Sequence, residues 1–255
     1  MRKVRFPDFL IAGAPRSGTT WLYELLDRHP EVYMAKPVQP EPKFFLVDEI
    51  YRRGMKHYSH RWFSNAGNAK ILGEKSTNYL ESPVASERIH KNLPGVKLIF
   101  VLREPVERAY SNYLWSRMNG WEHEDFATAL ALEEQRQREL PKELRYVRPH
   151  AYFSRGLYAD MLLPYFGRFP RDQILCLRFD DIFERPQILA ERLHRFLGIH
   201  PRPGDARNLG IINPSRKGAC PMTEETRAIL RTRYAEPNRR LGQLLGSEFE
   251  MWKSS

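Results

Sequence analysis

The run Gly13-Ala-Pro-Arg-Ser-Gly-Thr-Thr20 combines small residues, one guanidinium and several hydroxyls, a mixture suited to holding a phosphate-like anion. Small residues let the backbone approach a ligand closely. Arg16 brings a charge that does not titrate away, and Thr19 and Thr20 can donate hydroxyl hydrogen bonds. A strand before such a loop and a helix after it would aim backbone N–H groups and a helix dipole at one point. Pro15, Arg16, Ser17, Gly18, Thr19 and Thr20 are therefore the first anion-binding candidates. The loop is not of the G-x-x-x-x-G-K-[ST] kind, which needs lysine where Thr19 stands.

The flanking residues supply those elements. Phe9-Leu-Ile-Ala-Gly13 is a short apolar run that reads as a buried parallel strand. Thr19 to Asp27 places Trp21, Leu22, Leu25 and Leu26 on one helical face. A second strand is expected at Val96–Leu102, leading into a helix with Pro105 in its first turn, where a missing N–H costs nothing. A third is expected at Gln173–Phe179, before a helix from Pro186 to Leu197 stopped by Gly198. Ala127 to Arg145 reads as an exposed helix, 202–218 as a loop and Thr223 to Leu245 as a last helix. Alternating strands and helices predict an α/β fold, one domain over 1–255 with a central parallel sheet flanked by helices.

With 255 residues, 42% of them hydrophobic, the chain can bury one substantial core. No stretch approaches the roughly 18 apolar residues of a membrane span, and no integral membrane segment is expected. Cys176 and Cys220 lie far apart without metal-ligand neighbours, which fits a reducing, cytoplasmic setting. The histidines, among them His29, His57, His60, His123 and His150, lack metal-ligand spacing, so no metal is expected. A net charge of +10 favours an anionic ligand or acceptor. The basic residues are scattered and no nucleic-acid-binding motif is present, so nucleic acid is not the expected partner.

Pro15-Arg-Ser-Gly-Thr-Thr-Trp-Leu22 resembles the 5′-phosphosulfate loop of sulfotransferases that use 3′-phosphoadenosine 5′-phosphosulfate (PAPS), closest to the heparan sulfate branch. Three later segments resemble the same family in order. Leu98 to Tyr113 is similar to its 3′-phosphate element, which implies that Arg103 and Ser111 hold that group. Asn213-Pro-Ser-Arg-Lys-Gly218 is similar to the loop that closes over the nucleotide, which implies roles for Arg216, Lys217 and Gly218. Tyr234 to Leu241 and Phe249 to Trp252 look like the branch's C-terminal helix and tail. The fold implied is P-loop-like, of the sulfotransferase and nucleotide-kinase type. The heparan-type enzymes carry a disulfide near the closing loop, where this chain has only Cys220.

Sulfuryl transfer needs cations at the leaving oxygen and a base at the acceptor. The resemblance assigns Arg16 and Lys75 as the cations and Glu41, in Pro40-Glu-Pro-Lys-Phe-Phe45, as the base, with Glu74 a rival. Lys43 stands where some relatives have histidine. The acceptor expected is a saccharide or another small molecule bearing a hydroxyl or amine. Tyr51, His57, Tyr58, Trp62 and Phe63 and the stretch around Trp115 to Trp121 are candidates for its cleft, and several of the aromatics are equally candidates for the core. A P-loop kinase of a small metabolite and a non-catalytic polyanion-binding module are the alternatives.

Overall fold

A computed structural model describes residues 4–202, 204, 206, 209–210 and 221–252. Arg216, Lys217, Gly218 and Cys220 lie outside the described residues. Among the described residues five parallel strands form the sheet: β1 (Phe9–Gly13), β2 (Val32–Met34), β3 (Ile71–Lys75), β4 (Lys97–Leu102) and β5 (Ile174–Arg178), in the order β2-β3-β1-β4-β5. All five residues of β1 are buried, as a central strand covered on both faces requires. The helices, in chain order, are α1 (Thr19–Asp27), α2 (Asp48–Tyr51), α3 (Gly54–Phe63), α4 (Pro83–Asn92), α5 (Pro105–Met118), α6 (Phe126–Ala131), α7 (Glu133–Glu139), α8 (Tyr158–Phe166), α9 (Asp181–Glu184), α10 (Pro186–Leu197) and α11 (Glu224–Leu245).

The chain divides into two compact units, 1–102 with 162–212, and 103–161 with 213–255. In the first, the apolar face of α1 packs with Ile99, Val101 and Leu177 of the sheet and with Leu189, Leu193 and Leu197 of α10. Gly198 ends α10 in the left-handed conformation at φ 72°, its N–H bonding back to the carbonyls of His194 and Arg195. Elsewhere in this unit Phe44 stacks on Tyr58 at 4.4 Å, and the Tyr165 hydroxyl donates to the carbonyl of Tyr79 at 2.6 Å.

In the second unit α5 and α11 share a core built from Val106, Tyr113, Phe126, Tyr152, Leu230 and Tyr234. Gly156 is required there, since a Cβ would lie 2.5 Å from the Tyr234 hydroxyl. The Glu122 carboxylate, buried nearby, accepts from the N–H groups of His123 and Glu124, from Arg136 at 2.5 Å and from Tyr152 at 2.7 Å.

Two expectations change and one choice is resolved. Residues 127–145 are not one helix, for α6 and α7 are separate and Leu140–Pro141 ends the second. Glu133 turns inward, accepting from the N–H groups of Phe153 at 2.6 Å and Ser154 at 2.9 Å, so that stretch is more than a solvated face. Tyr58, Trp62 and Phe63 are buried core residues rather than the wall of an acceptor cleft.

Candidate functional site

Parallel α/β sheets bind ligands beyond the strand C-termini, where the strand order reverses. Here that place is the end of β1 and β4, and the anion-binding loop grows out of it. The Ala14 N–H bonds to the carbonyl of Val101 at 2.9 Å, which bends the chain off the sheet. Arg16 and Gly18 both take the left-handed conformation, at φ 66° and φ 79°, on either side of Ser17. For Arg16 that conformation costs about 1 kcal/mol or more, and such strain collects at ligand sites. Alternating backbone hands turn successive N–H groups toward one point, an anion nest.

Among the described residues no side chain caps α1. The Ser17 hydroxyl, with no exposed surface, has no hydrogen-bond partner among the described residues. A buried polar atom left unpaired costs about 1–3 kcal/mol, and an anion's oxygen in the loop would recover that. The residues present therefore fit a phosphate or sulfate group.

The loop's two glycines also have a packing role. A Cβ on Gly13 would lie 2.6 Å from Leu80 Cβ and 3.2 Å from the Thr77 carbonyl oxygen. One on Gly18 would lie 2.4 Å from Ile182. Gly13 thereby lets the 3-10 turn Thr77–Glu81 sit against the end of β1.

That turn follows β3, whose Lys75 pairs in register with Ile11 of β1. The Lys75 ammonium meets Glu41 Oε1 at 2.5 Å, and both side chains are almost wholly buried, 2% and 6% exposed. Thr77 completes the arrangement: its N–H donates to Glu41 Oε2 at 3.1 Å and its hydroxyl lies 3.2 and 3.3 Å from the two carboxylate oxygens. The segment carrying Glu41 is pinned twice more, by the Lys43 N–H on the Ser76 hydroxyl at 2.9 Å and the Phe45 N–H on the Tyr79 hydroxyl at 3.3 Å. Glu41, Lys75 and Thr77 form one cluster. Sequence reasoning named the first two and missed Thr77, whose only signal was its place two residues after Lys75.

Glu74 belongs elsewhere. Adjacent strand residues face opposite sides of a sheet, and its carboxyl is enclosed by Tyr58, Ser76 and Tyr79 with no exposed surface. Burial pushes it up to about 7, against the hydrogen bonds that favour its charge, and Glu41's charge adds to the rise. An enclosed carboxyl is poorly placed to meet an acceptor.

Arg103 follows β4 directly, and its carbonyl accepts from the Tyr158 hydroxyl at 2.9 Å. Ser111 sits two turns into α5 and is buried. Asn112 and Ser116 tie α5 to the carbonyl of Pro149, and Arg155 donates to Asn112 at 3.1 Å, which fixes the helix that carries Ser111. Among the described residues no group of His, Cys, Asp and Glu could hold a metal ion, and no helix is long and apolar enough to cross a membrane.

A family model described as "Sulfotransferase domain" matches residues 6–211. The human bifunctional heparan sulfate N-deacetylase/N-sulfotransferase 3 is 29% identical over 236 residues, covering 87% of this chain and 25% of that protein. The chain thus spans about a quarter of that relative's length. A crystal structure of a sulfotransferase from Alicyclobacillus acidocaldarius is 27% identical with a TM-score of 0.77, covering 95% of this chain and 96% of that one. The mouse sulfotransferase SULT7A1 complexed with PAP shares the fold at 17% identity, with a TM-score of 0.62 and coverage of 96% and 90%.

Proposed function

Because this chain belongs to the sulfotransferase family, we propose that it transfers a sulfuryl group from PAPS to a hydroxyl or amine of a saccharide acceptor. The observation that carries the reading is the Ser17 hydroxyl, buried and without a partner among the described residues, in a loop that leaves the strand whose Ile11 pairs in register with Lys75, the partner of Glu41. In this reading the Pro15–Thr20 loop takes the 5′-phosphosulfate. Arg103 and Ser111 take the 3′-phosphate, with Arg216, Lys217 and Gly218 closing over it. The name of the heparan-type relative and the net charge of +10 support an anionic saccharide acceptor.

The acceptor oxygen or nitrogen attacks sulfur while the bond from sulfur to the 5′-phosphate oxygen breaks, and the acceptor proton passes to Glu41. Before reaction both oxygens of Glu41 are engaged. As charge gathers on the leaving phosphate oxygen, Lys75 gains a second anionic partner. Turning to it stabilises the leaving group and releases Glu41 Oε1 for the proton. Arg16 offers a fixed charge to the same oxygen. A cytoplasmic location is part of the same proposal, supported by the Cys176 thiol, which is free among the described residues.

Calorimetric titration with adenosine 3′,5′-bisphosphate, and with ATP in the presence and absence of magnesium, tests the reading. Magnesium-independent binding of the bisphosphate, weakened in Arg103→Ala, is expected. A preference for magnesium-ATP would transfer the chain to the kinase alternative, and transfer activity surviving in Glu41→Gln would remove the proposed base.

A further inference from the structure

The second unit holds a cleft of about 680 Å³ that the reaction above does not use, and neither Arg103 nor Ser111 lines it. Its long wall is a stripe of α11 on which Arg227, Arg231 and Asn238 recur at helical spacing. Met251 and Trp252 add apolar surface, and Glu104 and Glu107 from the start of α5 complete the lining. Cavities between about 300 and 1,000 Å³ are the size that takes small ligands.

The state of each polar group narrows the ligand. Glu104 accepts from the N–H of Glu107 at 2.8 Å, Thr232 donates to the carbonyl of Ala228 at 3.0 Å, and the Glu107 carboxylate is neutralised by Arg227, which also meets Glu224 at 3.4 Å. Arg239 is gripped by both oxygens of Glu236 at 2.7 Å. Tyr234 spends its hydroxyl on the carbonyl of Phe153 at 2.8 Å. By contrast, neither Arg231 nor the Asn238 amide has a hydrogen bond or ion pair among the described residues, and the Trp252 indole N–H is buried without an acceptor. A guanidinium and an amide awaiting partners, beside an indole, match a sugar ring that carries an anionic substituent. So charged a lining argues against a purely apolar ligand.

We propose that this cleft of the second unit is a binding site for an anionic sugar unit. Arg231 binds the anionic group, Asn238 a ring hydroxyl, and Trp252 packs against the ring. The proposal rests on the sulfotransferase reading for the kind of ligand but not for its geometry.

The test is calorimetry on protein saturated with adenosine 3′,5′-bisphosphate. The probes are an unsulfated uronate-containing tetrasaccharide, a sulfated heparin-derived tetrasaccharide and a neutral oligosaccharide of equal length. Wild type is compared with Arg231→Ala, at an exposed position of α11, and Asn238→Ala, at a half-buried one outside the core. At least one anionic probe should bind more tightly than the neutral one, and Arg231→Ala should weaken it about tenfold while leaving bisphosphate affinity unchanged. The two anionic probes separate carboxylate from sulfate recognition. Equal saccharide affinity in wild type and both variants, or no saccharide binding to protein that binds the bisphosphate, overturns the site and leaves the enzyme reading standing. Failure of wild type to bind the bisphosphate overturns the enzyme reading instead, and the effect of Arg231→Ala on the saccharide then decides the site alone.

Discussion

Glu74 should make the protein less stable as pH rises through the weakly acidic range, and Glu74→Gln should abolish that loss. Its carboxyl is fully buried and raised from 4.5 to about 7, chiefly by desolvation. Well below pH 4.5 the folded and unfolded chains both carry the proton, and the group has no pH-dependent effect. Between about 4.5 and 7 the unfolded chain ionises first, so it binds fewer protons than the folded one and stability falls with pH. Above about 7 both forms are ionised and the loss is complete, at about 3 kcal/mol on the scale of 1.36 kcal/mol per tenfold change in proton affinity. Glutamine keeps a carbonyl to accept from Tyr58 and cannot ionise. Urea unfolding at about pH 5 and about pH 8 should therefore show the wild type losing about 2–3 kcal/mol relative to Glu74→Gln, since a small part of the loss has occurred by pH 5. Parallel pH profiles for the two proteins would refute the reasoning, because Glu74 would then ionise in the fold at no cost.

Three further outcomes follow from the site. Thr77→Val removes the hydroxyl contact to Glu41 but keeps the N–H bond, so kcat should fall about tenfold with bisphosphate affinity unchanged, and Thr77→Ser should restore it. Ser17→Ala should leave unfolding stability unchanged or slightly raised while weakening bisphosphate binding about tenfold, as calorimetry and thermal melts together will show. Gly13→Ala drives a methyl into Leu80 and should cost about 1–3 kcal/mol in a urea titration, with a loss of activity as the 3-10 turn is pushed off β1.

The elements flanking the anion-binding loop were legible because β1 and α1 carry clean local signals, an apolar run and an apolar helical stripe with a glycine-rich turn between them. β4, β5 and α10 were legible for the same reason. β3 was not, since Ile-Leu-Gly-Glu-Lys contains three residues that strands disfavour. Its pattern is set by tertiary contacts: a Cβ at Gly73 would lie 2.2 Å from the ring of Phe9. The meeting of Glu41 with Lys75 joins residues 34 apart along the chain, and only the β1–β3 register and the pinning of the Glu41 segment bring them together. Tyr58, Trp62 and Phe63 stayed undecided between cleft and core because an aromatic helix face looks the same whether it meets a ligand or a core.

The Lys75–Glu41 pair also restricts how this chain can change over generations. Removing either member alone leaves a charge stranded in an almost solvent-free place, a loss of about 3–5 kcal/mol in comparable cases, whereas replacing both with apolar residues of similar volume is often neutral. A descendant that abandons the base therefore has to cross a poorly folding intermediate, or alter both positions together. Across related chains the two should be retained as a pair or lost as a pair, and an inactive relative should be recognisable by the double replacement.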